Sequence, residues 1–108
     1  MSKIKLKILE NKEECIINGI KVKNKITYFK DKQKITVLLN KNQLEIFVNC
    51  SNYSNHLYFS NDNSFCEINI DHQNTNFIFK TNKLLISENK IEISYIIDEE
   101  KNFALEIL

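Results

Sequence analysis

The chain has no proline, no tryptophan and no arginine, and only one glycine, Gly19. Each gap removes a class of function. With a single glycine, neither a phosphate-cradling P-loop nor a G-x-G-x-x-G dinucleotide fingerprint can be written anywhere in the chain. Without arginine there is no guanidinium fork, the group that grips phosphates and guanine edges through two parallel hydrogen bonds, so sequence-specific reading of nucleic acid is not expected. The bias toward Lys, Asn and Ile is what an AT-rich coding sequence produces. Three cysteines, Cys15, Cys50 and Cys66, are an odd number and form no paired framework. The opening MSKIKLKILE alternates lysine with apolar residues and carries no continuous apolar h-region. No window reaches the run of about 18 apolar residues that a membrane span needs. No signal peptide and no membrane association are therefore expected, and the expected compartment is cytoplasmic with free thiols.

What is present is a globular composition, 43% apolar and 27% charged over 108 residues, enough for one domain spanning 1–108 with one core. Apolar residues recur with period two almost throughout, beginning with Ile4, Leu6 and Ile8 set between Lys3, Lys5 and Lys7. This is the pattern of half-buried strands. Turn signals fall at Asn11 to Glu13, Asp31 to Gln33, Lys41-Asn42, Ser51 to Asn55, Asn61 to Asn63, His72 to Asn74, Glu88-Asn89 and Asp98 to Lys101. Asn18-Gly19 reads as a bulge within one long strand in preference to a hairpin turn. About ten short strands joined by turns too short for crossovers predict antiparallel neighbours. One apolar face per strand then requires the sheet to close on itself. The expected fold is an all-β, single antiparallel up-and-down barrel of about 8–10 strands, lipocalin-like, with a two-sheet sandwich as runner-up.

Charge supports closure. Residues 1–41 hold eleven lysines and four acids, and residues 42–108 hold four lysines and ten acids. In a closed meander the first and last strands are neighbours, which would set Lys3, Lys5 and Lys7 beside Glu106. The basic half reads first as solvated surface balanced by acidic neighbours.

Few constellations point to chemistry. Cys50 and His56, then Cys66 and His72, repeat a C-x5-H spacing, yet residues six apart lie about 20 Å apart on an extended strand and cannot share a metal. Cross-strand pairing of position 56 with 66 and 50 with 72 would give two ligands per site where a structural zinc needs four. The same pairs make poor nucleophiles because no helix start or glycine turn supplies an oxyanion hole. Cys66 reads as a small core residue and the histidines as polar strand ends. Glu13-Glu14 and Glu99-Glu100 read as solvated turn carboxylates. No catalytic residue, metal or cofactor is expected.

The inward parity selects Ile26 and Tyr28, Leu57 and Phe59, Phe77 and Phe79, Ile91, Ile93, Tyr95 and Ile97, and Phe103, Leu105 and Ile107. A barrel of this size either fills its interior or holds one small ligand. A buried phenol needs a hydrogen-bond partner. Tyr28, Phe77, Phe79 and Tyr95 are accordingly the candidate ligand-binding residues, for a small partly apolar molecule. The alternative is a solid-core module that meets a protein partner through its loops or lysine-rich N-terminal strands, with RNA-backbone contact through those lysines as a third reading.

Leu57-Tyr58-Phe59, Thr75-Asn76-Phe77, Thr81 and Ile91-Glu92-Ile93-Ser94-Tyr95 follow the order of a known family pattern, and ITYFKDKQKITVLL is similar to that family's early tyrosine-rich hairpin. On these residues the chain resembles the YwiB-like family of small, uncharacterised calycin-type, lipocalin-like β-barrels. The resemblance implies the barrel fold and transfers no activity. Ile78 and Asn89 stand where the family has glycines, and the connection between Leu39 and Leu44 is shorter, which implies a narrowed barrel mouth.

Overall fold

The structure, a computed structural model, describes residues 2–61 and 63–108; Asp62, inside the expected Asn61 to Asn63 turn, lies outside them. Ten strands follow one another: β1 (Ser2–Glu10), β2 (Glu13–Val22), β3 (Lys25–Lys30), β4 (Gln33–Leu39), β5 (Leu44–Asn49), β6 (Tyr53–Phe59), β7 (Ser64–Ile70), β8 (Gln73–Ile86), β9 (Lys90–Ile97) and β10 (Glu99–Ile107). Each pairs antiparallel with its sequence neighbours, and β1 pairs with β10, so the sheet is a closed up-and-down barrel. The sandwich is set aside, because a sandwich would leave that last seam open. No described residue is helical, so no helix is long and apolar enough to cross a membrane.

Alternation explains the interior. Every residue of the expected inward set is either buried or packed against the buried cluster, which adds Leu6, Ile8, Ile35, Val37, Leu44 and Ile46 from the first five strands. The charged positions between them point outward.

Closing a sheet requires its strands to be staggered, and here the stagger is concentrated in two strands. β2 pairs with β1 from Glu13 to Lys21 but with β3 only from Gly19 to Val22. β8 pairs with β7 through Gln73 to Phe79 and with β9 through Lys80 to Ile86, with an irregularity between Thr81 and Lys83. The expected bulge at Asn18-Gly19 is absent: β2 keeps unbroken register with β1 through both residues. Gly19 serves close approach instead. A Cβ there would lie 2.7 Å from Leu6 Cδ1 and 3.1 Å from the Thr27 carbonyl oxygen, inside van der Waals contact with a packed core.

Turns are tighter than expected. Glu13-Glu14 and Glu99-Glu100 belong to strands β2 and β10, and Asp98 alone separates β9 from β10. With one glycine in the chain, other residues take the left-handed backbone: Asn11, Asp31, Lys32, Asp71, His72 and Asp98, plus Lys23, have φ between 47° and 69°. Asp31-Lys32 and Asp71-His72 each put both central residues at positive φ, the geometry of a two-residue hairpin whose twist matches its strands. Lys7 lies opposite Glu106 as the closed meander predicts, but its ammonium bonds Glu14 of β2 at 3.2 Å.

Candidate functional site

Up-and-down order puts alternate turns at opposite ends. The β2–β3, β4–β5, β6–β7 and β8–β9 turns share one end, where Leu44, Phe59 and Ser64 are essentially without solvent contact. There Asn24 reaches across: its carbonyl accepts from Leu39 N–H at 2.9 Å, and its side-chain amide donates to Leu39 O at 2.9 Å. The Leu39 to Leu44 connection belongs to this end. Its shortness therefore does not act on the mouth.

The opposite end is ringed by the β1–β2, β3–β4, β5–β6, β7–β8 and β9–β10 turns, and the barrel opens there into a cavity of about 150 Å³. Its wall is apolar: Ile35 from β4, Ile46 and Val48 from β5, Leu57 from β6 and Phe103 from β10. Glu10, Asn11, Gln33 and Asn102 form a polar rim. Two phenols complete it, Tyr28 from β3 and Tyr95 from β9. Asn11 takes a left-handed turn and clamps the rim, its N–H donating to Asn102 O at 2.8 Å while its Oδ1 accepts from Asn102 N–H at 3.0 Å. Gln33 donates to the Tyr53 hydroxyl, and Lys30 meets Glu10 at 3.6 Å.

Tyr28 is the chemically informative member. It is 1% exposed, and its hydroxyl has no hydrogen-bond partner among the described residues. An unpaired buried hydroxyl costs about 1–3 kcal/mol, so a group that accepts from it, or donates to it, gains that much on entering. Burial first, then the nearby acidic groups of Glu10 and Cys15, pushes its ionisation well above the usual phenol range. Tyr95 is shifted the same way, by burial first, then by Glu10 and Cys66. Both phenols keep their protons at neutral pH and remain O–H donors. Asn55 Oδ1 is a second buried oxygen without a partner among the described residues, on β6 opposite Val48 of the cavity wall.

Of the four residues chosen from the sequence, the structure brings Tyr28 and Tyr95 together in this cavity. Phe77 and Phe79 sit behind it. Phe79 packs edge-on against Phe59 at 5.4 Å and tilted against Tyr95 at 5.6 Å, and Phe77 continues the cluster at 6.5 Å from Phe79. These rings hold Tyr95 in place from below. Strand alternation alone does not reveal the rim; the signal for it is polar residues within one or two positions of a turn on strands whose next inward residue is apolar.

The cysteine–histidine pairs come apart for a reason of register. Cys66 lies opposite Leu57, inside the core, whereas His56 lies opposite Glu67 and Phe47, on the outer face. There His56 stacks on Phe47 at 4.2 Å and meets the Glu45 carboxylate at 3.0 Å. It is a mid-strand residue, not a strand end; His72 occupies the β7–β8 turn. Among the described residues no three His, Cys, Asp or Glu side chains gather as metal ligands. No protein-family model, curated protein or solved structure matches the chain.

Proposed function

We propose that this barrel is a non-enzymatic binding protein of the cytoplasm that takes one small, partly apolar molecule into its open mouth. The observation that carries the reading is Tyr28, which lines a mostly apolar cavity and whose buried hydroxyl has no hydrogen-bond partner among the described residues. A volume of about 150 Å³ is the size that holds a benzene-like guest. The ligand class follows: a neutral molecule with one ring or a short branched chain, carrying a hydroxyl, carbonyl or ether that pairs with Tyr28. The Glu10 carboxylate at the rim disfavours an anionic guest. A guest of this size has so few atoms that affinities run from about millimolar to micromolar. Placement in the cytoplasm is supported by the three free cysteines. Kinship with the YwiB-like, calycin-type barrels is part of the same proposal, supported by the ten-strand closed meander.

Native mass spectrometry of the protein purified from cells, followed by NMR titration with benzyl alcohol, p-cresol and hexanoate, tests it. Bound mass, or saturable shifts for the neutral aromatics that are weaker for hexanoate and abolished in Val48→Phe, is the expected result. A cavity that holds only water would show neither, and the proposal would fail.

A further inference from the structure

A groove of about 620 Å³ runs over β1, β2 and β3, lined on the outer face by Lys3 and Lys5 of β1, Asn18 and Ile20 of β2, and Thr27 and Phe29 of β3, with Tyr28 of the mouth cavity also in its lining. The groove exists because the stagger of β2 ends its pairing with β3 at Gly19, leaving Phe29 beyond the paired stretch. Phe29 is 65% exposed, a large aromatic ring presented to solvent in the middle of the face. Its cross-strand neighbour on β4 is Lys34, and Lys25 stands four residues away on the same side of β3. Lys3, Lys5, Lys25 and Lys34 make no ion pair among the described residues. Glu14 and Glu106 lie beside Lys7 at the flank of the face, and Asp31 occupies the β3–β4 turn at its end.

Four cations outside any ion pair, set around an exposed ring, match a partner that is both polyanionic and aromatic. We propose that this face binds single-stranded nucleic acid, with the lysines on consecutive phosphates and a base stacked on Phe29. The side chains define the mode of binding. Lysine meets phosphate as a point charge, and without arginine the face has no bidentate reader of base edges. Binding is therefore tolerant of sequence and dominated by salt-sensitive charge neutralisation and stacking. An acidic protein would satisfy the lysines but gain nothing from the ring. The inference rests on Phe29 and the lysines and not on a guest in the interior cavity, although Tyr28 lines both.

Fluorescence anisotropy with a labelled oligouridylate of about 15 nucleotides is the test. Neutralising four phosphates on a single strand predicts a log–log salt slope of about −2.8, which is roughly a fifty-fold loss of affinity between about 50 and about 200 mM salt. Phe29→Ala, at an exposed position that leaves the core untouched, should weaken binding about ten-fold with the slope unchanged. The pair Lys5→Gln and Lys34→Gln should roughly halve the slope. Lys80→Gln, on β8, should change nothing. Absence of binding at the lower salt, an unaltered affinity in Phe29→Ala, or displacement by polyglutamate as effective as by the oligonucleotide would each overturn the assignment, the last in favour of an acidic protein.

Discussion

The two ends of the barrel are made by the same alternation and end in opposite states. At the β6–β7 end the interior is full and its polar atoms are paired: Ser64, 1% exposed, hydrogen-bonds the Thr81 hydroxyl at 2.6 Å, accepts from Ser60 N–H and lies within donating reach of Ser60 O. At the mouth the Tyr28 hydroxyl is just as deeply placed and has no such partner. Turn geometry differs in parallel. Among the described residues, six of the seven non-glycine residues with positive φ lie in mouth-end turns, and such tight turns leave no long loop to fold over the opening. The comparison teaches that burial alone does not distinguish core from site; the state of the polar atoms does.

The largest effect should come from testing how solid the filled end is. Phe59 has no solvent exposure and contacts both Phe79 and Tyr95. Phe59→Ala removes that volume where surrounding strands cannot collapse, and should cost about 3–5 kcal/mol in urea unfolding. Leu57→Ala, one turn of alternation nearer the mouth and only half-buried beside an existing cavity, should cost clearly less. Equal losses would mean that the mouth is packed as tightly as the base.

The sharper contrast is between two hydroxyls. Ser64→Ala strands the Ser60 N–H and the Thr81 hydroxyl, and should destabilise by about 1–3 kcal/mol. Tyr28→Phe removes an oxygen with no partner among the described residues, and should be neutral or stabilising while weakening any guest that bonds it. The same urea titrations read both signs. A Tyr28→Phe loss as large as that of Ser64→Ala would show that the phenol has a partner in solution.

How much of this was legible beforehand follows from what alternation encodes. Period two specifies face, so the inward set and the closed meander could be read directly, and the excess of lysine in the first strands and acid in the last foretold that β1 and β10 meet. Alternation does not encode stagger. The six-residue offset hidden in β2 decides where Phe29 is left exposed, and the division of β8 between two partners decides that Phe77 and Phe79 fall behind Tyr95. Gly19 looked like a turn or a bulge because those are the commonest uses of glycine in strands. Only the packed Leu6 side chain 2.7 Å away reveals its use. The rim residues were hidden for a related reason: Asn11, Gln33 and Asn102 look like ordinary turn polarity until the register brings them around one opening.

Alkaline pH probes the mouth from another direction. Burial raises the ionisation of Tyr28 and Tyr95 in the folded state above the usual phenol value of 10.0. A group raised in this way contributes its stability fully below the unfolded value and loses it as pH climbs toward the folded one. Stability should thus hold to about pH 10 and fall beyond it, and Tyr28→Phe should move the fall to higher pH. Unfolding midpoints followed by circular dichroism across this range would show it, and an identical alkaline limb in the variant would remove Tyr28 as its source.

The smallest expected effect tests why the mouth can be ringed so tightly without glycine. Lys32 sits at φ 65° as the second central residue of the Asp31-Lys32 turn, a conformation where a Cβ is crowded and an Asn or Gly is preferred. Lys32→Gly relieves that crowding but adds freedom to the unfolded chain, a partial cancellation. The net gain should be about 0.5–1 kcal/mol, visible as a rise of a few degrees in Tm. Lys41→Gly, in the β4–β5 turn of the filled end where no positive φ is required, should give no gain and only the entropic loss. Opposite signs for the same chemical change at the two ends would tie the strain to the turns that frame the opening.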